Sequence, residues 1–228
     1  MIAIIVILAV AFGLALLPSL WVKRVLKAHS GQRDDFPGTG AEFARHLLDE
    51  MKLNHVKVEP TELGDHYDPE AKAVRLSTSH HSTKSLAAVV VAAHEVGHAM
   101  QDATGYAPLA ARTRLAGQAI RVERFGAIVM LAAPVVLLLV KSPYVLFIEL
   151  GVGLVILSTT ILMHAFTLPV EFDASFRRAL PVLKAGNYIS QKDMGAARKI
   201  LSAAAFTYVA AAAVSLLDVM RWLRILRI

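Results

Sequence analysis

The stretch Ala92-Ala93-His94-Glu95-Val96-Gly97-His98-Ala99-Met100-Gln101 decides the reading of this 228-residue chain. It lies in a strong helical pattern, with Ser82 or Thr83 placed to cap a helix that runs to about Thr104. Residues four apart on a helix share a face one turn apart, so His94 and His98 present two imidazoles to one point. That spacing suits two ligands on one metal ion, at the ~2.0–2.1 Å of zinc–nitrogen bonds. Glu95 sits on the adjacent side, in reach of a water on that ion without ligating it. Zinc acidifies such a water toward a pKa of ~7, and a neighbouring carboxylate can move its proton to a leaving amine. Gly97 is a poor helix former, and its presence predicts the close approach of another element.

The chain contains no cysteine, so disulfides, thiolate nucleophiles and Cys-type zinc sites are excluded. Any metal is held by His, Asp or Glu. A catalytic zinc takes three protein ligands and keeps its fourth position for water. Glu171, in Thr167-Leu168-Pro169-Val170-Glu171-Phe172-Asp173-Ala174-Ser175, is the candidate for the third. Two expected membrane crossings separate it from His98, which returns it to the same side of the bilayer. Asp173 is then a candidate to hold the ring N–H of a ligating histidine. The same two acids also read as ordinary helix-N-terminal carboxylates after Pro169, favourable to the helix dipole. The residues alone leave both readings open.

Outward from this centre the chain is strongly apolar. Hydrophobic residues make up 56% and charged ones 18%, with a mean hydropathy of +0.53. An ordinary soluble domain sits at roughly 45–50% apolar. The charges cluster between long apolar runs, which predicts a mainly α membrane protein with a polar insert and a small β element. Ile2 to Trp21 carries no charge and has the ~20 residues of a spanning helix. Lys23, Arg24 and Lys27 follow it rather than precede it, so it reads as a retained anchor over residues 1–22 rather than a signal peptide. The positive-inside bias places the following residues in the cytoplasm, as a multi-pass protein of the plasma membrane with its site on the cytoplasmic side.

Residues 23–125 are the expected cytoplasmic part of the catalytic domain. They hold an amphipathic helix from Ala41 to Met51, candidate strands at Val56–Glu59 and Ala73–Leu76, and a turn-rich loop Asp65-His66-Tyr67-Asp68-Pro69. A separate helix is expected from Leu109 to Phe125. Residues 126–166 read as a transmembrane helical hairpin turning at Lys141-Ser142-Pro143, and 167–200 as a helical segment carrying the third ligand. Residues 201–228 form an apolar C-terminal helix, spanning or interfacial.

The net charge of +6 flanks the apolar segments, at Lys23, Arg24 and Lys27 and at Arg221, Arg224 and Arg227. That suits anionic lipid. With aromatics at 7% and no basic, aromatic-interleaved stripe, nucleic acid is not an expected partner. Tyr208 and His66 are candidate catalytic donors to the oxyanion of an attacked carbonyl. A structural role for the Tyr208 hydroxyl competes with that reading. Arg178 reads as a solvated or lipid-facing cation, and His80-His81 as a surface loop, because adjacent residues do not share a face. Glu149 and His164 fall inside apolar runs but near their ends.

Four segments go further than spacing: the His94–His98 stretch, Asp65–Pro69, Thr167–Ser175 and Ala205-Phe206-Thr207-Tyr208-Val209-Ala210-Ala211. Together, and in this order, they resemble the putative membrane neutral zinc metallopeptidase family of bacteria. The arrangement also looks like a compact relative of the heat-shock membrane protease and CAAX prenyl protease group. The resemblance implies a zincin-like core, one Zn2+ ion on His94, His98 and Glu171, Glu95 as general base, and a polypeptide substrate near the membrane surface. The larger group has an aspartate four residues beyond its ligand glutamate; here that position is Ser175 and the acid is Asp173, which is the rival ligand. Two other functions compete: a zinc-stabilised membrane scaffold without turnover, which has no use for Glu95, and a transporter, which three or four short spans fit poorly.

Overall fold

A computed structural model describes the backbone of residues 13, 17–140, 142 and 144–225. Side chains are described for these residues other than 123, 130, 133, 146, 149, 150, 157, 160, 161, 207 and 211–225. Most of the expected N-terminal anchor therefore lies outside the described residues, as do Lys141, Pro143, Arg227 and the side chains of Glu149, Asp218, Arg221 and Arg224.

Helix α1 occupies residues 17–28. Its Val25 is buried, and Trp21, Val22 and Leu26 pack against the core. Helix α2 spans Gly40–Glu50 and starts at a capping box, in which Thr39 and Glu42 satisfy each other's backbone N–H groups. It lays Ala44, Leu47 and Leu48 onto the core. Three short strands follow: β1 (Lys57–Thr61), β2 (His66–Asp68) and β3 (Ala73–Ser77). They form one sheet in the order β1-β3-β2, with β1 parallel and β2 antiparallel to β3. The expected loop at Asp65–Pro69 thus contains a strand. Three residues alternating half-buried, buried, half-buried are too short a pattern to see without the partner strand. Arg75 ties the sheet crosswise, at 2.6 Å from Asp68 and 3.2 Å from Glu59.

Helix α3 (Thr78–His81) replaces the expected His80-His81 surface loop. His80 is buried, 7% exposed, with its Nδ1 2.8 Å from an Asp65 carboxylate oxygen. Helix α4 spans Leu86–Ala103, and its N-cap is Ser85, whose Oγ accepts from the Ala88 N–H, rather than Ser82 or Thr83. All three residues are competent caps. Tertiary contacts choose between them: Ala87 N–H bonds to His29 C=O and Arg33 N–H to Lys84 C=O. Both flanks of α4 are apolar, and it runs through the middle of the core, packed by α2, the sheet and the C-terminal helices.

Helix α5 is continuous from Ala107 to Val140, where two helices were expected. Gly126 does not break it; a Cβ there would meet Ile156 of the next helix, so the glycine lets the two approach. Instead, α5 bends by 44° between Ala107–Val129 and Pro134–Val140. Pro134 has no N–H for the carbonyl of residue 130 and its ring crowds that turn. Helix α6 spans Tyr144–Phe172 and packs along α5 as an antiparallel partner. A π-helical segment, Asp173–Ala179, follows directly, then α7 (Leu180–Ala185) and α8 (Met194–Ile225). Helix α8 begins seven residues earlier than the apolar run starting at Leu201. A salt bridge from Arg33 to Asp193, 2.8 Å, and an edge-on contact of Trp21 with Phe206 join the α1 region to α8. Among the described residues no single helix is long and apolar enough to cross a membrane; the bent pair within α5 passes by length and composition.

Candidate metal centre

Helix α4 places His94 and His98 one turn apart, with their Nε2 atoms 3.2 Å from each other and their rings edge to face. Glu171, at the end of α6, reaches the same point. Its Oε2 lies 3.2 Å from His94 Nε2 and 3.7 Å from His98 Nε2. One donor atom from each of the three lies within 4.8 Å of the others. Two imidazole nitrogens and one carboxylate oxygen converging this closely are the donor set of a catalytic zinc. Such a set leaves room for a further ligand, so the residues fit the ion.

Each ring is held from behind. Gln101 donates from Nε2 to Val170 C=O (2.8 Å) and to Asp173 Oδ2 (2.9 Å), which fixes its amide orientation. Its Oε1 then faces His98 Nδ1 at 2.9 Å and can only accept. The proton therefore sits on Nδ1, and the Nε2 lone pair of His98 points into the centre. Ser175 Oγ lies 3.1 Å from His94 Nδ1, in the equivalent place on the other ring. Asp173 is not against a histidine itself. It acts on His98 through Gln101, and its Oδ2 also accepts from Arg178 Nε at 2.7 Å. Arg178 is thus paired rather than lipid-facing.

The π-helical segment makes these contacts possible. Pro169 leaves one hydrogen bond of α6 unmade, and eleven residues later Leu180 N–H bonds to Ser175 C=O, five residues back. Wider winding of this kind recurs at functional sites. Here Glu171, Asp173, Ala174 and Ser175 are all buried against α4. The close approach predicted from Gly97 is to Ala174: a Cβ on Gly97 would lie 2.8 Å from the Ala174 carbonyl oxygen. Gly97→Ala should therefore push the π-helical segment off α4 at a cost of about 1–3 kcal/mol. The expected drop in thermal midpoint is about 2–12 °C for a chain of this length. An unchanged midpoint would show that this packing is looser than described.

Glu95 lies beside the three donor residues. Its Oε2 is buried and has no hydrogen-bond partner. Burial pushes the Glu95 carboxyl up to about 7; His94 opposes that, while Glu171 and Asp65 add to it. Burial pushes Glu171 the same way, but the His98 and His94 rings outweigh it and hold the carboxyl well below its usual range. The second oxygen of Glu171 pairs with Arg112 at 3.1 Å. Arg112 also stands beside the Tyr208 hydroxyl, which brings α8 to the centre.

A cavity of about 200 Å³ opens onto these groups, lined on its polar side by Asp65, His94, Glu95, Glu171 and Tyr208. His66 is not among the lining residues; its Nδ1 bonds to the Gly64 carbonyl at 2.8 Å, and its neighbour Asp65 takes the place at the cavity. A shallower depression of about 560 Å³ over α2, lined by Glu42, Arg45, His46 and Asp49, has no such convergence of donor atoms. Gln101, Ser175 and Arg112 escaped the sequence reading as members of the site. Gln101 stands at i+3 from His98 on the same helix, which is the one local signal that could have pointed to it.

Comparison with known proteins points to zinc as well. A family model described as "Putative neutral zinc metallopeptidase" matches residues 4–227. The chain is 36% identical over 219 residues, 94% of its own length and 92% of the relative's, to the "Putative membrane protease YugP" of Bacillus subtilis (strain 168). No solved structure matches. On the span of the family match and this identity, the chain belongs to the putative neutral zinc metallopeptidase family.

Proposed function

We propose that the protein is a membrane-bound zinc-dependent endopeptidase with a zincin-like core. In this reading His94, His98 and Glu171 hold one zinc ion and Glu95 is the general base. The observation that carries it is Glu171 Oε2 at 3.2 and 3.7 Å from the two Nε2 atoms, beside a buried Glu95 oxygen that nothing else engages. When bound, zinc supplies Lewis-acid polarisation and acidification of water. Glu95 takes the proton of the water that adds to the peptide carbonyl carbon and delivers it to the amine as the C–N bond breaks. Tyr208 faces the cavity to donate to the carbonyl oxygen as charge builds there. Arg112 anchors the Glu171 oxygen turned away from the rings, so that the carboxylate keeps one orientation. A scaffold without turnover leaves the unpartnered Glu95 oxygen unexplained.

A membrane setting is supported by the exposed apolar side chains of the α5–α6 pair. Leu131 is 83% exposed, Leu139 78% and Phe147 68%, in a surface with few charges. Water would not tolerate a patch of this kind on an isolated chain, whereas lipid would. With residues 126–166 in the bilayer, the centre sits near its surface, on the cytoplasmic face by the positive-inside bias. A ligand glutamate placed after membrane helices is the layout that the resemblance to the heat-shock and CAAX protease group implies.

Removal of metal is the first test. Dialysis of the purified protein against a chelator should abolish cleavage of an unfolded polypeptide, and one equivalent of zinc should restore it. Cleavage that persists without metal would overturn the reading. Gln101→Leu frees His98 Nδ1 and should weaken zinc binding by about 10–100-fold. Unchanged affinity would mean that Gln101 is a packing residue alone.

A further inference from the structure

Among the described residues, the far side of the cavity is lined only by aliphatic side chains, from three helices. Helix α1 contributes Val22 and Leu26, four residues apart; α4 contributes Val91; α8 contributes Ile200, Leu201 and Ala204. Each set lies on one helical face. Val91 stands one turn before His94 and Glu95, so this lining begins where the proposed chemistry ends. On α8 the stripe through Ile200 and Ala204 continues a turn further to Tyr208.

Asp65, Glu95 and Glu171 line the cavity, and among the described residues no Lys or Arg does. Arg112 is committed to Glu171 at 3.1 Å. Asp65 is committed as well: Oδ1 accepts from Ser77 N–H (2.7 Å) and Ser77 Oγ–H (3.0 Å), and Oδ2 faces His80 Nδ1 at 2.8 Å. A cationic side chain entering the aliphatic far side would find the Asp65 carboxylate already taken, and an acidic one would lose its hydration with no cationic side chain among the lining residues to replace it. The volume of about 200 Å³ is smaller than the ~300 Å³ of a typical small-molecule site, and suits one side chain with its adjoining backbone.

We propose that this pocket selects a substrate residue with an aliphatic side chain next to the scissile bond and rejects Asp and Glu there. Helix α1 is then part of the specificity site rather than an anchor alone, held in place by buried Val25 and by Trp21 against Phe206. The inference rests on the peptidase reading for the word scissile, but the pocket is testable without turnover.

The probes are labelled Gly/Ser decapeptides with a single Leu, Ala, Phe, Lys or Asp, measured by fluorescence anisotropy. The protein is the full chain, zinc-loaded, with Glu95→Gln to prevent cleavage. The Leu peptide should bind about 10-fold or more tighter than the Ala peptide, in line with discrimination per methylene in apolar pockets, and the Asp peptide weakest of all. Ala204→Leu, which fills the pocket, should bring the Leu-to-Ala ratio toward one. Leu26→Ala, which enlarges it without adding bulk, should move the preference to Phe. Equal binding of the Leu and Ala peptides, or a ratio untouched by both substitutions, overturns the proposal. The unsubstituted protein is then given the same peptides. Selective binding with no cleavage would remove the peptidase reading and leave the pocket, whereas cleavage indifferent to the neighbouring side chain would do the reverse.

Discussion

Glu95→Gln should lower peptide cleavage by about 10²–10⁴-fold, the range a positioned general base contributes, while zinc stays bound at one equivalent. The substitution keeps the size and burial of the side chain, and Glu95 donates no ligand atom to the group formed by His94, His98 and Glu171. It removes the charge of a carboxylate whose buried Oε2 has no hydrogen-bond partner. Activity assays on an unfolded protein, paired with metal analysis of the same sample, separate the two effects. Full activity in the variant would rule out the proposed mechanism. Lost activity with lost zinc would instead make Glu95 part of metal retention.

The second large effect is expected at Glu171. Glu171→Ala removes one of three donor atoms and leaves Arg112 facing two imidazoles without its counter-charge. Zinc affinity should fall by more than the 10–100-fold associated with groups that only orient ligands, so by more than about 100-fold. Asp173→Asn is the necessary partner experiment. Asp173 engages Arg178 and Gln101, and its loss should weaken zinc only within that smaller range. Competition with a metallochromic indicator gives both values. The reverse order of effects would make Asp173 the ligand.

The helix that carries the centre was legible because its signal is local. A spacing of four on a helix fixes the relation of His94 to His98 before any tertiary contact forms. The amphipathic α2 and strands β1 and β3 were legible for the same reason, with ends displaced by one or two residues. Counting apolar runs made Glu171 only a candidate, beside an ordinary helix-terminal role, and the family resemblance named it as the ligand. What remained hidden depends on neighbours distant in sequence. Strand β2 exists because β3 lies beside it, and His80 is buried because Asp65 turns toward it. Gln101 is indistinguishable from a surface glutamine until Val170 and Asp173 take both of its amide protons. Ser175 looks like a departure from the pattern of the larger protease group, yet its hydroxyl stands at His94 Nδ1. The π-helical winding has no compositional mark, although Pro169 shortly before it is a natural place for irregular hydrogen bonding. Continuity of α5 was hidden by its change from charged to apolar at Gly126, which alters the environment of the helix and not its backbone.

The most direct measurement is X-ray absorption at the zinc edge on the purified, detergent-solubilised protein. Two imidazole nitrogens and a carboxylate oxygen at ~2.0–2.2 Å, with one further light-atom ligand, are predicted. Fewer than two imidazoles in the first coordination sphere, or none lost on His94→Ala, would contradict a centre built by α4 and the end of α6.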